Sequence, residues 1–153
     1  MKIKILFFSI FFIFSSINLY SQNNGFGFGV MVGEPTGFSA KYWVDETHAV
    51  DFGLAYSFVH PDKVFSLHGD YLFHIPNPIK SEFNLPIYYG IGARIHFGNE
   101  GGHTLGARGV IGVAWIARSL PLDAFIELAP VFNIFPETSL HLDCAIGARY
   151  YFH

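Results

Sequence analysis

The chain has 153 residues, of which 14% are charged and 18% are aromatic, and its mean hydropathy is +0.34. Soluble domains contain roughly 25% charged residues, so this composition argues against a surface that faces water on all sides. A net charge of −3 without a basic cluster argues against a nucleic-acid partner. The single Cys144 excludes an internal disulfide and a cysteine-based zinc site.

Residues 1–21 have the layout of a secretory signal peptide. Lys2 and Lys4 give a positively charged start, Ile5–Phe14 is an almost unbroken apolar stretch, and the residues after it become small and polar. The apolar stretch is shorter than the ~20 residues that a membrane-spanning helix needs. We therefore predict a cleaved signal peptide over residues 1–21, followed by one domain over residues 22–153.

After this segment, apolar and polar residues alternate, with regular interruptions by turn residues. An alternation with a period of two predicts β-strands, because successive side chains of a strand point to opposite faces. No apolar run is long enough for a transmembrane helix. The predicted strands are about Phe26–Gly33, Phe38–Asp45, Ala49–Val59, Val64–Ile75, Leu85–Gly98, Thr104–Ala117, Leu122–Phe135 and Leu140–Phe152.

The interruptions between the strands have the chemistry of tight turns. Examples are Glu34-Pro35-Thr36-Gly37 and Pro136-Glu137-Thr138-Ser139, while Pro76-Asn77-Pro78 opens the longest connection. An even number of strands returns both ends of the chain to one side, which is usually the periplasm. The turns after strands one, three, five and seven then face outward, and all four are short.

The last predicted strand separates two kinds of side chain most clearly. Its apolar face consists of Leu140, Leu142, Cys144, Ile146, Ala148, Tyr150 and Phe152. Its other face consists of His141, Asp143, Ala145, Gly147, Arg149 and Tyr151. Strands three and five repeat this separation. The polar face is rich in Gly, Ala and Ser with isolated charges, which is typical of a narrow barrel interior and not of a surface in water.

The apolar face carries aromatic residues near the strand ends, as expected for the two interfaces of a membrane barrel. These residues are Phe26, Tyr56, Phe58, Phe97, Trp115, Tyr150 and Phe152. The sequence therefore predicts an all-β fold, an eight-stranded antiparallel up-and-down transmembrane β-barrel that follows a cleaved signal peptide. The apolar face points to lipid and the polar face lines the lumen, which is the space enclosed by the barrel.

With this alternation and the aromatic last strand GARYYF, the chain resembles the small eight-stranded OmpA/OmpX-type outer-membrane proteins. The stretches GEPTGFSAKYW, LPIYYGIGARI and PLDAFIELAP are similar to those of a family of small bacterial barrels. The resemblance covers essentially the whole predicted domain. It implies a location in the bacterial outer membrane, a monomer, contact with membrane lipid and lipopolysaccharide, and the barrel-assembly machinery as a partner during insertion.

The side chains that are predicted to face inward include many charged and polar groups. They are Lys41, Asp51, His68, Asp70, Arg94, Arg108, Asp123, Glu127, Asp143 and Arg149. Charges in a narrow lumen need partners. We therefore expect a salt-bridge network of Lys41, Asp70, Arg94, Arg108, Glu127 and Asp143 that fills the barrel. The alternative is a gated ion path, for which Glu127→Ala is expected to raise conductance.

The sequence also contains two His-x-Asp pairs. His68-Gly-Asp70 and His141-Leu-Asp143 each place two polar groups on one strand face, a spacing that permits metal ligation or a His–carboxylate pair. With eight His residues in the chain, such pairs are expected by chance. We therefore expect no metal site and no cofactor.

Some barrels of this size modify acyl chains of lipid A, which requires a Ser or His activated by a second group. Ser57, Ser66 and His68 are the candidate catalytic residues, but they are predicted to face the lumen and therefore do not reach lipid. We therefore expect no catalytic residues. The function expected is a non-enzymatic barrel for envelope integrity or surface interaction, and the alternatives are a lipid A-modifying enzyme and a narrow ion or solute pore.

Pro130 lies within the seventh predicted strand, where a proline removes a ladder hydrogen bond. We expect a β-bulge near Ala129–Val131 to accommodate it.

Overall fold

The structure, a computed structural model, describes residues 24–56, 63–99 and 102–152. The predicted signal peptide, Ser57 and Phe58 lie outside these residues. The strands are β1 Phe26–Glu34, β2 Thr36–Trp43, β3 His48–Tyr56, β4 Lys63–Ile75, β5 Ile87–Gly98, β6 Thr104–Ile116, β7 Leu122–Phe135 and β8 Ser139–Phe152. Each overlaps one predicted strand, with bounds that differ by a few residues. The described residues contain no helix long and apolar enough to cross a membrane.

The strands form a closed antiparallel barrel in which each strand pairs with the next and β8 pairs with β1. The prediction of an eight-stranded antiparallel barrel is confirmed. When the paired residues are followed from Gly27 on β1 through β2 to β7, the path arrives at His141 on β8. In the direct pairing of β1 with β8, however, Gly27 is opposite Tyr151. The difference of ten residues is the stagger of the barrel, and it means that the strands are tilted against the barrel axis.

Burial follows the alternation of the sequence. On β8, Leu140 and Leu142 are 73% and 65% exposed, whereas Asp143 and Arg149 are 3% and 2% exposed. The outer face of β5 is exposed in the same way, and Ile91 there is 72% exposed. The outer wall is therefore apolar, and the charged side chains on the inner faces of the strands are buried.

Aromatic side chains on the outer wall lie mainly toward the two ends of the barrel. Five of the predicted girdle residues are exposed there, namely Phe26, Tyr56, Phe97, Trp115 and Phe152. We call the end that carries the β1–β2 and β7–β8 turns the upper end. The opposite end, which carries the β2–β3, β4–β5 and β6–β7 connections, is the lower end.

The β1–β2 turn is unusually tight because a single residue, Pro35, separates the two strands. Gly33 has a φ of 143°, a conformation that favours glycine. The Thr36 hydroxyl accepts a hydrogen bond from the Gly33 N–H at 3.0 Å and donates one to the Gly33 carbonyl at 2.7 Å. The β1–β2 turn therefore adds very few residues to the upper end of the barrel.

The longest connection in the described residues, 76–86, lies at the lower end. Asn84 forms an isolated antiparallel bridge with Ile116, whose N–H donates to the Asn84 carbonyl at 3.0 Å. The Ala114 N–H donates to the Pro86 carbonyl, also at 3.0 Å. These bonds hold the second half of the connection along the end of β6.

The prediction of a bulge at Pro130 is wrong. The β6–β7 register is the same on both sides of this residue, from Arg108↔Val131 to Ile111↔Leu128, and the shift lies instead next to Leu105. Proline has no N–H to donate, and the two intervening ladder pairs are missing. The residue facing the ring is Gly109, where even an added Cβ would lie 3.7 Å from Cγ of Pro130, so the ring has room without a bulge.

The β2–β3 turn is organised by the Asp45 carboxylate. It accepts hydrogen bonds from the backbone N–H groups of Thr47 at 2.7 Å and His48 at 2.8 Å, and from the His48 ring at 2.8 Å. Led by the Thr47 N–H and the His48 ring, these donors hold the pKa of Asp45 well below its usual range. The His48 ring also packs against Phe73 at 5.1 Å, which connects the turn to β4.

We expect the Asp45 carboxyl to titrate below the ordinary aspartate pKa of ~3.9. Because its pKa is lower in the folded than in the unfolded chain, the stabilisation of the turn is complete above the ordinary value. It is lost as pH falls through the lowered value. Carboxyl carbon chemical shifts of the barrel in detergent micelles measure this titration, with Asp45→Asn identifying the signal. A titration at or above the ordinary pKa would show that these hydrogen bonds do not hold in solution.

Candidate functional site

The lumen is the candidate functional site, because the charged and polar side chains of the predicted inward set lie there. All ten side chains of the predicted inward set are at most 3% exposed, namely Lys41, Asp51, His68, Asp70, Arg94, Arg108, Asp123, Glu127, Asp143 and Arg149. Ordinary interiors bury charged groups only when they are paired. The pattern of their contacts therefore decides what the lumen can do.

Arg108, in the middle of β6, is the centre of the largest ion-pair network. Its guanidinium donates one hydrogen bond to Oδ2 of Asp70 and another, at 2.9 Å, to Oε1 of Glu127. Its Nε also lies 3.9 Å from Oδ2 of Asp143. Three carboxylates from β4, β7 and β8 thus converge on one guanidinium, which connects strands on opposite sides of the lumen.

Two other side chains extend this network. Arg94 on β5 donates to both carboxylate oxygens of Asp143 at 2.5 Å. The Tyr88 hydroxyl, also on β5, donates to Oε2 of Glu127 at 2.9 Å. The hydrogen bonds and ion pairs therefore run without interruption from Tyr88 through Arg108 to Arg94, and they bridge the lumen at mid-depth.

A second cluster lies toward the lower end, around Arg149 on β8. Its guanidinium donates to Oγ of Ser39 at 3.0 Å, lies 3.7 Å from Oδ2 of Asp123, and stacks 3.9 Å from the centre of the Phe125 ring. The Tyr151 hydroxyl donates to the same Asp123 oxygen at 2.6 Å. This cluster lies in the lower half of the lumen.

Lys41 has different contacts from those expected of a member of the salt-bridge network. Its Nζ lies 2.8 Å from Nε2 of His74, and 4.4 Å and 5.3 Å from the ring centres of Trp43 and Tyr88. Among the described residues, ion pairs join the other five members of the predicted network, which are Asp70, Arg94, Arg108, Glu127 and Asp143. The aromatic rings beside Lys41 offer its ammonium group a cation–π environment.

The two His-x-Asp pairs of the sequence have different surroundings. On β4, Nε2 of His68 lies 4.0 Å from Oδ2 of Asp70. On β8, His141 contacts Ser139 with 3.3 Å between Nε2 and Oγ, while Asp143 is engaged by Arg94. Only the first pair therefore stays together, and the sequence did not indicate that Asp51 lies beside it.

Ser66 and His68, the two candidate catalytic residues that the structure describes, do not reach the outer wall. Ser66 and His68 are 0% and 3% exposed inside the lumen, and no hydrogen-bond partner is found for Oγ of Ser66. The sequence reasoning missed the contact of Ser139 with His141 at the upper end, where Asn133 also donates to Oγ of Ser139 at 3.0 Å. Their spacing of two residues on one strand face was the available signal.

The outer wall carries a shallow apolar groove of about 680 Å³. Its lining includes Tyr71, Ile91, Gly109, Pro130 and Phe132. It lies where Gly109 has no side chain and the β6–β7 ladder is interrupted. Most of its lining is apolar and belongs to the outer wall, and Arg108 of the lumen network also borders it.

The fold and the lumen together define a small closed eight-stranded barrel with buried charge and an apolar outer wall. The chain matches no protein-family model and no curated protein sequence. Among solved structures it is similar to that titled "Crystal structure of Neisserial surface protein A (NspA)", with 13% identity and a TM-score of 0.48. The alignment covers 84% of this chain and 94% of that chain.

We expect Asp123→Ala to destabilise the barrel by about 3–5 kcal/mol, because it leaves Arg149 buried without its carboxylate. Tyr151→Phe removes only one hydrogen bond to the same carboxylate and is expected to cost about 1 kcal/mol. The free energy of unfolding in guanidinium chloride, measured in lipid vesicles, distinguishes the two variants. An Asp123→Ala cost no larger than that of Tyr151→Phe would mean that the ion pair contributes nothing specific to the fold.

Proposed function

We propose that the protein is a small barrel of the bacterial outer membrane, with a filled lumen and a non-enzymatic role in envelope integrity or surface interaction. The observation that carries this proposal is the reversal of ordinary burial. Arg108 and Asp70 are 2% exposed inside the barrel, while Ile91 and Leu140 are 72% and 73% exposed outside. This arrangement is stable only where the surroundings of the outer wall are apolar.

The extent of the apolar wall supports lipid as its surroundings. Large apolar side chains are exposed on every strand of the barrel. Soluble monomers rarely expose a contiguous apolar patch larger than a few hundred Å². A closed barrel is also one of two architectures that satisfy all backbone hydrogen bonds inside a bilayer.

The outer membrane is the location favoured by the remaining observations. The resemblance to OmpA/OmpX-type barrels and the predicted signal peptide both fit export followed by insertion. Membrane lipid, lipopolysaccharide and the barrel-assembly machinery are then the partners, and the barrel is a monomer. The described turns of the upper end are short, which favours a role within the envelope over a large adhesive surface.

We expect Ile91→Lys to destabilise the barrel in vesicles by about 2–4 kcal/mol, and Phe97→Lys by about 0–1 kcal/mol. Both replace an exposed apolar side chain on β5, but Ile91 lies near the middle of the strand and Phe97 near its end. A lysine costs most at the centre of the bilayer. Unfolding titrations of both variants in the same vesicles measure the difference. Equal small costs at the two positions would argue against a membrane around this wall.

The filled lumen supports a closed barrel and not a pore. An eight-stranded barrel has an interior just wide enough for side chains, and here the Arg108 network and the Arg149 cluster occupy successive depths. The alternative, a gated ion path, requires the ion pairs to exchange partners. Glu127 is the informative residue, because it accepts hydrogen bonds from both Arg108 and Tyr88.

We expect neither the native protein nor Glu127→Ala to produce conductance steps in a planar lipid bilayer. Removing the Glu127 side chain opens space only at mid-depth and leaves the cluster of Arg149, Asp123 and Phe125 in place below it. The Glu127→Ala/Asp123→Ala variant, which opens both depths, is the comparison. Discrete conductance in Glu127→Ala alone would support the gated path.

The surroundings of the candidate nucleophiles support a non-enzymatic role. The outer wall separates Ser66 and His68 from membrane lipid, and Ser139 and His141 lie at the upper end of the inner face. A lipid A-modifying enzyme needs its catalytic group within reach of an acyl chain. A difference of one acyl chain between the lipid A of cells with and without this protein would overturn the non-enzymatic role.

A further inference from the structure

Three potential metal ligands meet on the inner face of β3 and β4. Asp51 is the direct cross-strand partner of Asp70, and His68 lies two residues before Asp70 on the same face. One ligand atom from each of the three side chains lies within 4.8 Å of the other two. All three residues are at most 3% exposed. The β3–β4 register therefore adds a third donor to the His-x-Asp pair of the sequence.

Each side chain of this group has one polar atom without a hydrogen-bond partner in the protein. Oδ1 of Asp51, Nδ1 of His68 and Oδ1 of Asp70 are buried without a hydrogen-bond partner. Two carboxylates directly opposite each other on neighbouring strands repel one another. Buried polar groups without partners are rare in native structures, so three of them on neighbouring side chains require an explanation.

Neighbouring cations do not supply that explanation. Lys41 is the cross-strand partner of Asp51 on β2, but its Nζ lies 2.8 Å from Nε2 of His74. Arg108 engages Oδ2 of Asp70 and leaves Oδ1 of the same carboxylate without a partner. Each of the three side chains therefore keeps one atom that is free to bind a cation.

Two glycines make the space that this arrangement requires. A Cβ at Gly53 would lie 2.1 Å from Cε1 of the His68 ring. A Cβ at Gly92 would lie 2.1 Å from Oδ1 of Asp70 and 2.0 Å from the Gly69 carbonyl oxygen. Any larger residue at either position would displace the ring or the carboxylate. The backbone of β3 and β5 is thus shaped around the donors on β4.

The charge balance of the lumen favours a cation over an anion. Among the described inner side chains, the buried acids are Asp51, Asp70, Asp123, Glu127 and Asp143, and the buried bases are Lys41, Arg94, Arg108 and Arg149. With neutral histidines, the acids exceed the bases by one. A proton shared between Asp51 and Asp70 would restore the balance, but it would leave Nδ1 of His68 without a partner. A divalent metal ion accounts for all three side chains and leaves these buried groups with one net positive charge.

We propose that Asp51, His68 and Asp70 form a binding site for a divalent transition-metal cation of the Zn²⁺ type. Imidazole nitrogen suits zinc and its neighbours, and carboxylate oxygens complete such sites at about 2.0–2.2 Å from the metal. Separations of up to 4.8 Å between the donors close by small rotations of the side chains around the ion. Arg108, bound to the second oxygen of Asp70, orients that carboxylate toward the metal.

The test uses the barrel refolded in detergent micelles, with Zn²⁺ added in one sample during refolding and in another afterwards. Calorimetry and metal analysis after gel filtration measure binding, and Co²⁺ provides a visible absorption spectrum that reports nitrogen and oxygen coordination. We expect one Zn²⁺ per barrel and a higher thermal midpoint of unfolding. Ca²⁺, which prefers a larger set of oxygen ligands, is expected to give neither effect.

The variants Asp51→Asn and His68→Gln are expected to weaken Zn²⁺ binding by at least tenfold each. His96→Gln is the matched control, because His96 is also buried on the inner face of the neighbouring strand, at 4% exposed, but does not belong to the group. Circular dichroism and the electrophoretic shift of the folded barrel establish that each variant folds. If a variant does not fold, the native protein still decides the question by its stoichiometry and Co²⁺ spectrum.

Two results would overturn the proposal. The first is an absence of saturable Zn²⁺ binding by the folded native barrel under both conditions of addition. The second is binding that persists undiminished in the Asp51→Asn/His68→Gln variant, which would place the ion on exposed histidines. Binding only when Zn²⁺ is present during refolding supports the site, because the lumen is closed once the barrel has formed.

Discussion

Closure of the hydrogen-bonded ladder is the constraint on which the rest of this structure depends. Because β1 pairs with both β2 and β8, no strand is left with a free edge. Closure also divides every strand into a side that faces a narrow enclosed space and a side that faces the surroundings. Eight strands leave room inside only for side chains, so the inner residues must fill that space and satisfy one another.

Because the lumen is enclosed, the charged side chains inside it depend on one another for partners. Arg108 holds carboxylates from β4, β7 and β8, and Arg149 is held by Ser39, Asp123 and Phe125. In a space with little water, an unpartnered charge is costly. The ion pairs thus brace the barrel across its interior while the ladder closes its wall. In the group around Asp51, three neighbouring side chains each keep one buried polar atom without a hydrogen-bond partner in the protein.

Two particular residues show where inference from the sequence stopped. Pro130 was expected to force a bulge, but the residue opposite it is a glycine, and the strand keeps its register. Lys41 was expected to join the ion-pair network, yet its ammonium group lies against His74, Trp43 and Tyr88. In both cases the outcome was decided by a residue on another strand, and the alternation along one strand contains no information about that residue.

The sequence by itself determined the eight strands, the side of each that faces inward, and the apolar character of the outer wall. These features are local, because a period of two along each strand fixes them without reference to any neighbour. Only the tertiary structure decided which charges meet. Register and stagger place Asp51 opposite Asp70 and bring Arg108 to Glu127. The reason is that contacts across a barrel depend on the relative offset of strands far apart in the chain, and a shift of one residue would exchange the two faces of a strand.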